Sequence, residues 1–221
     1  MKTNSTLLLA LFGALAANAA HAVGVTGELG TTGVGVHFSV PLTSSINARI
    51  GANVLNYSFD GSTSNVDYDF KLKLRTVDAL LDWFPTANQF RLTAGVIYNG
   101  NKVDAVGLPT AGTYTLNGNV YNAATAGTLN GRIDFRNFAP YVGIGWGNAA
   151  SRTRGWSLSS DLGAFYQGKA RTSLSLNGCS AGPAICNQIA NDVAAENLRL
   201  ADKADDYRVY PVIRIGITYI F

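Results

Sequence analysis

Tyr210-Pro-Val-Ile-Arg-Ile-Gly-Ile-Thr-Tyr-Ile-Phe221 closes the chain, and its alternation decides how everything before it is read. Successive side chains of a strand point to opposite faces, a period of two. Ile213, Ile215, Ile217, Tyr219 and Phe221 therefore share one face, and Val212, Arg214, Gly216, Thr218 and Ile220 share the other. In a water-soluble sheet the continuous apolar face would turn inward. Here the second face is short or polar at Arg214, Gly216 and Thr218, which suits a wet or polar interior. The continuous apolar face is then left to point outward, and an outward apolar face needs lipid around it.

The amino terminus is consistent with export. Residues 1–22 have the pattern of a secretory signal peptide: Lys2 in a basic n-region, an apolar core from Leu7 to Ala16, and Ala20-His21-Ala22 as a small-x-small cleavage site. The core is too short to cross a bilayer as a helix. No Cys follows the cleavage site, so a lipid-anchored form is not expected, and residues 23–221 are the expected mature domain. Hydrophobic residues make up 47% of the chain and charged residues only 14%, with 24 Gly. That composition suits many strands joined by Gly, Asn and Ser turns better than packed helices. The formal charge of +3 comes without a basic patch interleaved with aromatics, so nucleic acid is not an expected partner.

Strand patterns recur along the chain. Val34, Val36, Phe38 and Val40 alternate with Gly33, Gly35, His37 and Ser39. The segment before them is out of phase, so Gly30-Thr-Thr-Gly33 reads as a bulge or a tight turn. Ile46, Ala48, Ile50, Ala52 and Val54 oppose Asn47, Arg49, Gly51 and Asn53. Next, Val66, Tyr68, Phe70, Leu72 and Leu74 oppose Asp67, Asp69, Lys71, Lys73 and Arg75. Past Thr76 the apolar set becomes Val77, Ala79, Leu81 and Trp83, and a bulge near Thr76 is expected. Phe90 to Tyr98 and residues 137–146 are further strands, and the pattern from Trp156 to Tyr166 continues in phase to Leu176 as one very long strand. Residues 100–128 read as a long loop. Residues 184–204 lack strand alternation and read as a short amphipathic helix with Ile189, Val193, Leu198 and Leu200 roughly on one side.

Charged residues are too few to wet the outside of a soluble barrel with an apolar interior. Turned inward, the polar faces fit a closed barrel in lipid, where every backbone group is satisfied within the wall. Trp83, Trp146, Trp156, Tyr98 and Tyr219 fall near strand ends, where amphipathic rings suit the bilayer interface. The expected fold class is all-β: a closed antiparallel transmembrane β-barrel, with a short helix in the last extracellular loop. Seven strands are clear, and bacterial single-chain barrels are even-numbered. The eighth is therefore placed within 23–40, folded back at Gly30–Gly33. Short turns at 41–45, 85–88 and 148–155 alternate with longer loops at 60–65, 100–128 and 177–206, which orients the short turns to the periplasm.

The terminal strand resembles that of bacterial outer-membrane β-barrels, in which Ile213, Ile215, Ile217, Tyr219 and Phe221 would form the signal read by the barrel-insertion machinery. Leu29-Gly-Thr-Thr-Gly33, Ala139-Pro-Tyr-Val-Gly-Ile-Gly145 and Asp161-Leu-Gly-Ala-Phe-Tyr-Gln-Gly168, with the order of strands and loops, resemble the carbapenem-associated outer-membrane protein family and its proteobacterial relatives. That resemblance implies a small eight-stranded barrel in the Gram-negative outer membrane, with a role in uptake of basic amino acids or other small solutes. The surrounding partner would be outer-membrane lipid, lipopolysaccharide included, and the barrel is expected to be a monomer.

On the inward faces Arg49, Arg91 and Arg214 meet Asp78, Asp82, Asp161 and Glu28. Leaving an ion buried and unpaired costs on the order of several kcal/mol, so these groups are expected to pair. One reading is a charged constriction that selects small solutes. The other is a salt-bridge network closing an interior only wide enough for side chains, in a structural or surface-binding barrel. A third, a lipid A-modifying enzyme, would need His37 as its base with Ser39 on the same face, and no Ser/His/acid pattern accompanies them. No catalytic residue, metal ligand or cofactor is assigned. Cys179 and Cys186, with Gly182-Pro183 able to turn between them, are expected to form a disulfide in an exported chain. The run Asp67–Arg75 reads as a solvated rim above the lipid, or as a vestibule that contacts a solute or receptor.

Overall fold

The structure, a computed structural model, describes residues 23–62, 67–86, 88–109, 112–150 and 154–221, with side chains left out at 61, 62, 67 and 68. The expected signal peptide, residues 1–22, lies outside the described residues. So do 63–65 of the expected 60–65 loop, Val66 of the strand expected after it, 87 of the expected 85–88 turn, 110 and 111 of the expected 100–128 loop, and 151–153 of the expected 148–155 turn.

The elements follow in chain order. First come β1 (Gly24–Gly30), β2 (Gly33–Pro41), β3 (Ile46–Ser62), β4 (Asp67–Trp83) and β5 (Phe90–Asn99). Then come β6 (Lys102–Leu108), β7 (Thr113–Leu116), β8 (Asn119–Asn122), α1 (Ala123–Ala126) and β9 (Thr128–Asp134). The chain ends with β10 (Phe138–Trp146), β11 (Gly155–Tyr166), β12 (Arg171–Asn177), α2 (Pro183–Ala204) and β13 (Val209–Ile220). Eight strands close an antiparallel ring in the order β4-β3-β2-β1-β13-β11-β10-β5, and β5 pairs back onto β4. The eighth strand comes from residues 23–40, as expected. β1 and β2 are a short hairpin turning at Thr31-Thr32, with Gly33 at φ +103°, where an L side chain would be strained. The hairpin top is pinned to β13: Thr31 N–H donates to Ile213 O at 2.9 Å, and Tyr210 Oη–H to Thr31 O at 2.6 Å.

The wall is inside-out relative to a soluble barrel. Ile215 is 67% exposed and Leu158 70%, whereas Arg214 and Asp78 are each 1% exposed. This is the distribution of a membrane-spanning β-barrel, with apolar residues outside and polar ones within. Trp83, Trp146 and Trp156 are exposed at the lower strand ends, and Tyr98 and Phe138 pack edge-to-face near the upper ends.

Four expectations are corrected. β4 pairs β3 in unbroken register from Trp83–Ile46 to Asp67–Ser62, so no bulge lies at Thr76. The faces keep their parity while the surroundings change. Below Thr76 the outer face carries Val77 and Leu81, which suit lipid; above it the same face carries Lys71, Lys73 and Arg75, which suit water. Residues 100–128 are not one loop, because β6 extends the sheet from the upper half of β4 and β7–β8 form a separate hairpin. The run 156–176 is two strands: β11 ends at Tyr166 in the wall, and β12 pairs β9 in the sheet above it. The helix expected at 184–204 is present as Pro183–Ala204, but its apolar side is not continuous: Leu198 is 72% exposed while Ile189 and Val193 are buried.

β6, β9 and β12 thus carry the sheet beyond the upper end of the barrel. α2 and the β7–β8 hairpin cover one of its faces through Tyr114, Leu116, Leu129, Ile189 and Val193. The disulfide Cys179–Cys186 ties the end of β12 to the first turn of α2.

Candidate functional site

The barrel interior is the candidate site, and its charged residues fall into two groups. In the upper group, Asp78 on β4 accepts from His37 Nε2 at 2.7 Å and from Arg214 Nη2 at 3.0 Å. Glu28 on β1 lies 3.1 Å from His37 Nδ1 and 3.2 Å from Arg214 Nε. Both ring nitrogens of His37 face carboxylates, so the ring, when protonated, balances two negative against two positive charges. In the lower group, Asp161 on β11 accepts from Arg49 at 2.7 and 3.1 Å and from Arg91 Nη2 at 2.8 Å. Asp82 accepts from Arg49 Nη2 at 3.1 Å and from Thr93 Oγ1 at 2.6 Å. Arg91 also donates to the carbonyl oxygens of Gly147 and Ser160.

All seven expected lumen residues, Glu28, Arg49, Asp78, Asp82, Arg91, Asp161 and Arg214, are thus brought together and buried. The wall has room for these long side chains because the strands place glycine beneath them. A Cβ on Gly145 would sit 2.7 Å from Arg91 Nε, and one on Gly51 would collide with the His37 ring. His37 and Ser39 are both fully buried, out of reach of a lipid substrate.

Two further layers were not anticipated from sequence. An apolar plug of Leu80, Ile97, Ala139, Tyr141, Phe165 and Val212 fills the interior, with Tyr210 packed against it. Phe165 stacks on Tyr210 at 4.9 Å between ring centroids. Its parity with Asp161 along β11 was the available signal, since residues four apart in a strand share a face. Beside it Asn99 Nδ2 donates to Gln167 Oε1 at 3.2 Å, and Gln167 Nε2 to Tyr207 O at 2.7 Å. At the lower end the β10–β11 turn folds in: Asn47 Nδ2 donates to Asn148 Oδ1 at 2.9 Å, and Ala149 and Ala150 are buried.

The cap over the upper sheet is held by a buried carboxylate, Asp192 of α2. Tyr121 Oη donates to it, as do Asn119 Nδ2 at 2.8 Å and Asn117 Nδ2 at 3.1 Å. These donors, Tyr121 first, hold the Asp192 carboxyl below the usual carboxylate range. A carboxylate lowered in the folded state stabilises above its unfolded value, and that stability is lost as pH falls through the lowered one. The cap is therefore expected to stay protected at neutral pH and to loosen below about pH 4. Hydrogen exchange at residues 113–122 checks this; protection unchanged down to strongly acid pH would refute it.

Ile213, Ile215, Ile217, Tyr219 and Phe221 share the outer face of β13, with Tyr219 packed edge-to-face on Trp156 and Phe221. No protein-family model matches the chain, and no curated protein matches it. Two solved structures from Acinetobacter baumannii do. The crystal structure of CarO2 is 22% identical, covers 92% of this chain and 100% of that one, and superposes with a TM-score of 0.59. The crystal structure of CarO is also 22% identical, with coverage of 90% and 97% and a TM-score of 0.55. The expected likeness to the carbapenem-associated outer-membrane proteins therefore holds for the fold: this chain has the all-β architecture of those outer-membrane barrels, with its own ion-paired interior.

Proposed function

We propose that this protein is an integral outer-membrane β-barrel that does not conduct, a structural and surface-presenting barrel whose function lies in its extracellular sheet. The observation that carries this reading is the burial of the lumen charges. Arg91 is 2% and Asp161 4% exposed in the middle of the barrel, so no water-filled bore reaches them. An eight-stranded interior is only just wide enough for side chains, and here ion pairs, an apolar plug and an infolded periplasmic turn occupy it together. The outer-face row ending at Phe221 is the segment we assign to recognition by the insertion machinery. Export through the periplasm follows from that reading and from the leader pattern of residues 1–22.

Planar-bilayer recording of refolded protein, with folding checked by heat-modifiable gel migration, tests it. A folded preparation is expected to be electrically silent. Steady openings of fixed size that change in Arg91→Ala would instead make the lower ion group a solute-selecting constriction and overturn the closed-lumen reading.

A further inference from the structure

We propose that cations at the extracellular boundary of the barrel form a docking belt for the phosphorylated headgroups of outer-leaflet lipid. This rests on the outer-membrane reading above and names the lipid chemistry the barrel wall selects.

The belt follows from where strands leave the wall. Chain crosses from barrel to extracellular sheet between β5 and β6, between β9 and β10, and between β11 and β12, while β4 runs through both. A cation stands at each crossing: Lys102, Arg136, Lys169 and, on β4, Arg75. The crossings are neighbours in space. Gly100 N–H donates to Arg75 O at 2.8 Å, Asn99 N–H to Asn137 O at 2.5 Å, and Arg136 N–H to Gln167 O at 3.3 Å. Arg75, Arg136 and Lys169 are exposed and Lys102 is half-buried.

Their charge is not consumed within the protein. The outer face of the sheet has acids, but they are taken by other cations: Asp104 by Lys73 at 2.9 Å and Arg132 at 2.7 Å, and Asp134 by Arg171 at 2.6 Å. Among the described residues Arg75, Lys102, Arg136 and Lys169 have no ion pair. Lys102 stands directly across from Lys73 in the β4–β6 ladder and from Asp134 in the β6–β9 ladder, and Asp134 is held by Arg171.

The position selects the anion. Immediately below the belt the outer face turns aromatic and then aliphatic, through Tyr98, Phe138 and Tyr166 to Val77, Val96 and Val142, all exposed. Rings at that level mark the membrane interface. A cation one step above meets headgroup phosphates whose acyl chains lie against the aliphatic band. Arg suits phosphate through paired donors and Lys as a point charge. A lipid that carries phosphate and acyl chains together satisfies both levels at once, which free phosphate does not.

The test is native mass spectrometry of the folded, detergent-solubilised protein titrated with bis-phosphorylated lipid A, and separately with the same lipid after removal of its phosphates. Wild type is expected to bind the phosphorylated lipid more tightly, on the order of tenfold or more given the attraction of each basic residue to an anionic surface. The quadruple variant R75Q/K102Q/R136Q/K169Q, with folding checked by heat-modifiable migration, is expected to lose that preference. Equal binding of both lipids by wild type would overturn the belt without using any variant. So would an unchanged preference in the folded variant, or a preference abolished by excess inorganic phosphate, which would make the site one for the free anion. Conduction by wild type would sink the closed lumen and leave this lipid preference standing, so the two failures are distinguishable.

Discussion

Asp161→Ala is expected to lower the unfolding free energy by about 3–5 kcal/mol, the cost of removing one partner from a buried ion pair. Asp161 takes two hydrogen bonds from Arg49 and one from Arg91, and its loss leaves both guanidiniums facing Asp82 alone. Neither guanidinium can reach water without leaving the barrel, and a guanidinium does not shed its charge by deprotonation. Urea titration of the protein folded into vesicles should show the transition midpoint falling with its steepness unchanged, the mark of a stability change rather than altered compactness. Asp161→Asn, which keeps the shape and removes the charge, should also destabilise, but less. A change below about 1 kcal/mol in Asp161→Ala, the scale of a solvated surface pair, would mean that water reaches the network.

Phe165→Ala is expected to cost about 3–5 kcal/mol, as large-to-small changes at fully buried aromatic positions do. Phe165 is 0% exposed, stacks on Tyr210 and lies across the β10–β11 ladder from Tyr141. The cavity left in the plug has little means of collapse, because the wall is fixed by backbone pairing on every side. Stability and conduction should separate here. Phe165 takes part in none of the lumen ion pairs, so the variant should unfold more readily yet remain silent in a planar bilayer. Openings in Phe165→Ala that wild type lacks would make the plug the gate and the ion network permeable.

Much of this architecture was legible in the alternation. Arg214, Gly216 and Thr218 opposite a row of isoleucines placed a polar face inside before any pairing was known, and the Cys179–Cys186 bridge followed from an exported loop with a turn between the two residues. The extracellular sheet was not legible. β6, with Lys102, Asp104 and Val106 on one face and Val103, Ala105 and Gly107 on the other, is short and small on both sides. Its strand character comes from pairing with β4 and β9 rather than from its own pattern. Thr76 misled for a related reason. Alternation tells which residues share a face, not which medium that face meets, and β4 passes from lipid to water in mid-strand while its register runs on.

The amino-acid order alone settled that Arg214 and the polar residues in phase with it point inward and the isoleucines of the last strand outward, since that depends only on a period of two and on too few charges to wet an outer surface. Which charge meets which was decided by the closed barrel. Arg214 donates to Asp78 from 136 positions away, and Arg49 to Asp161 from 112. Whether two such residues stand at one height depends on strand tilt and on how the sheet closes. A local pattern carries neither, so the ion pairs, the plug between Tyr141 and Phe165 and the closure of the lumen exist only once the last strand has met the first.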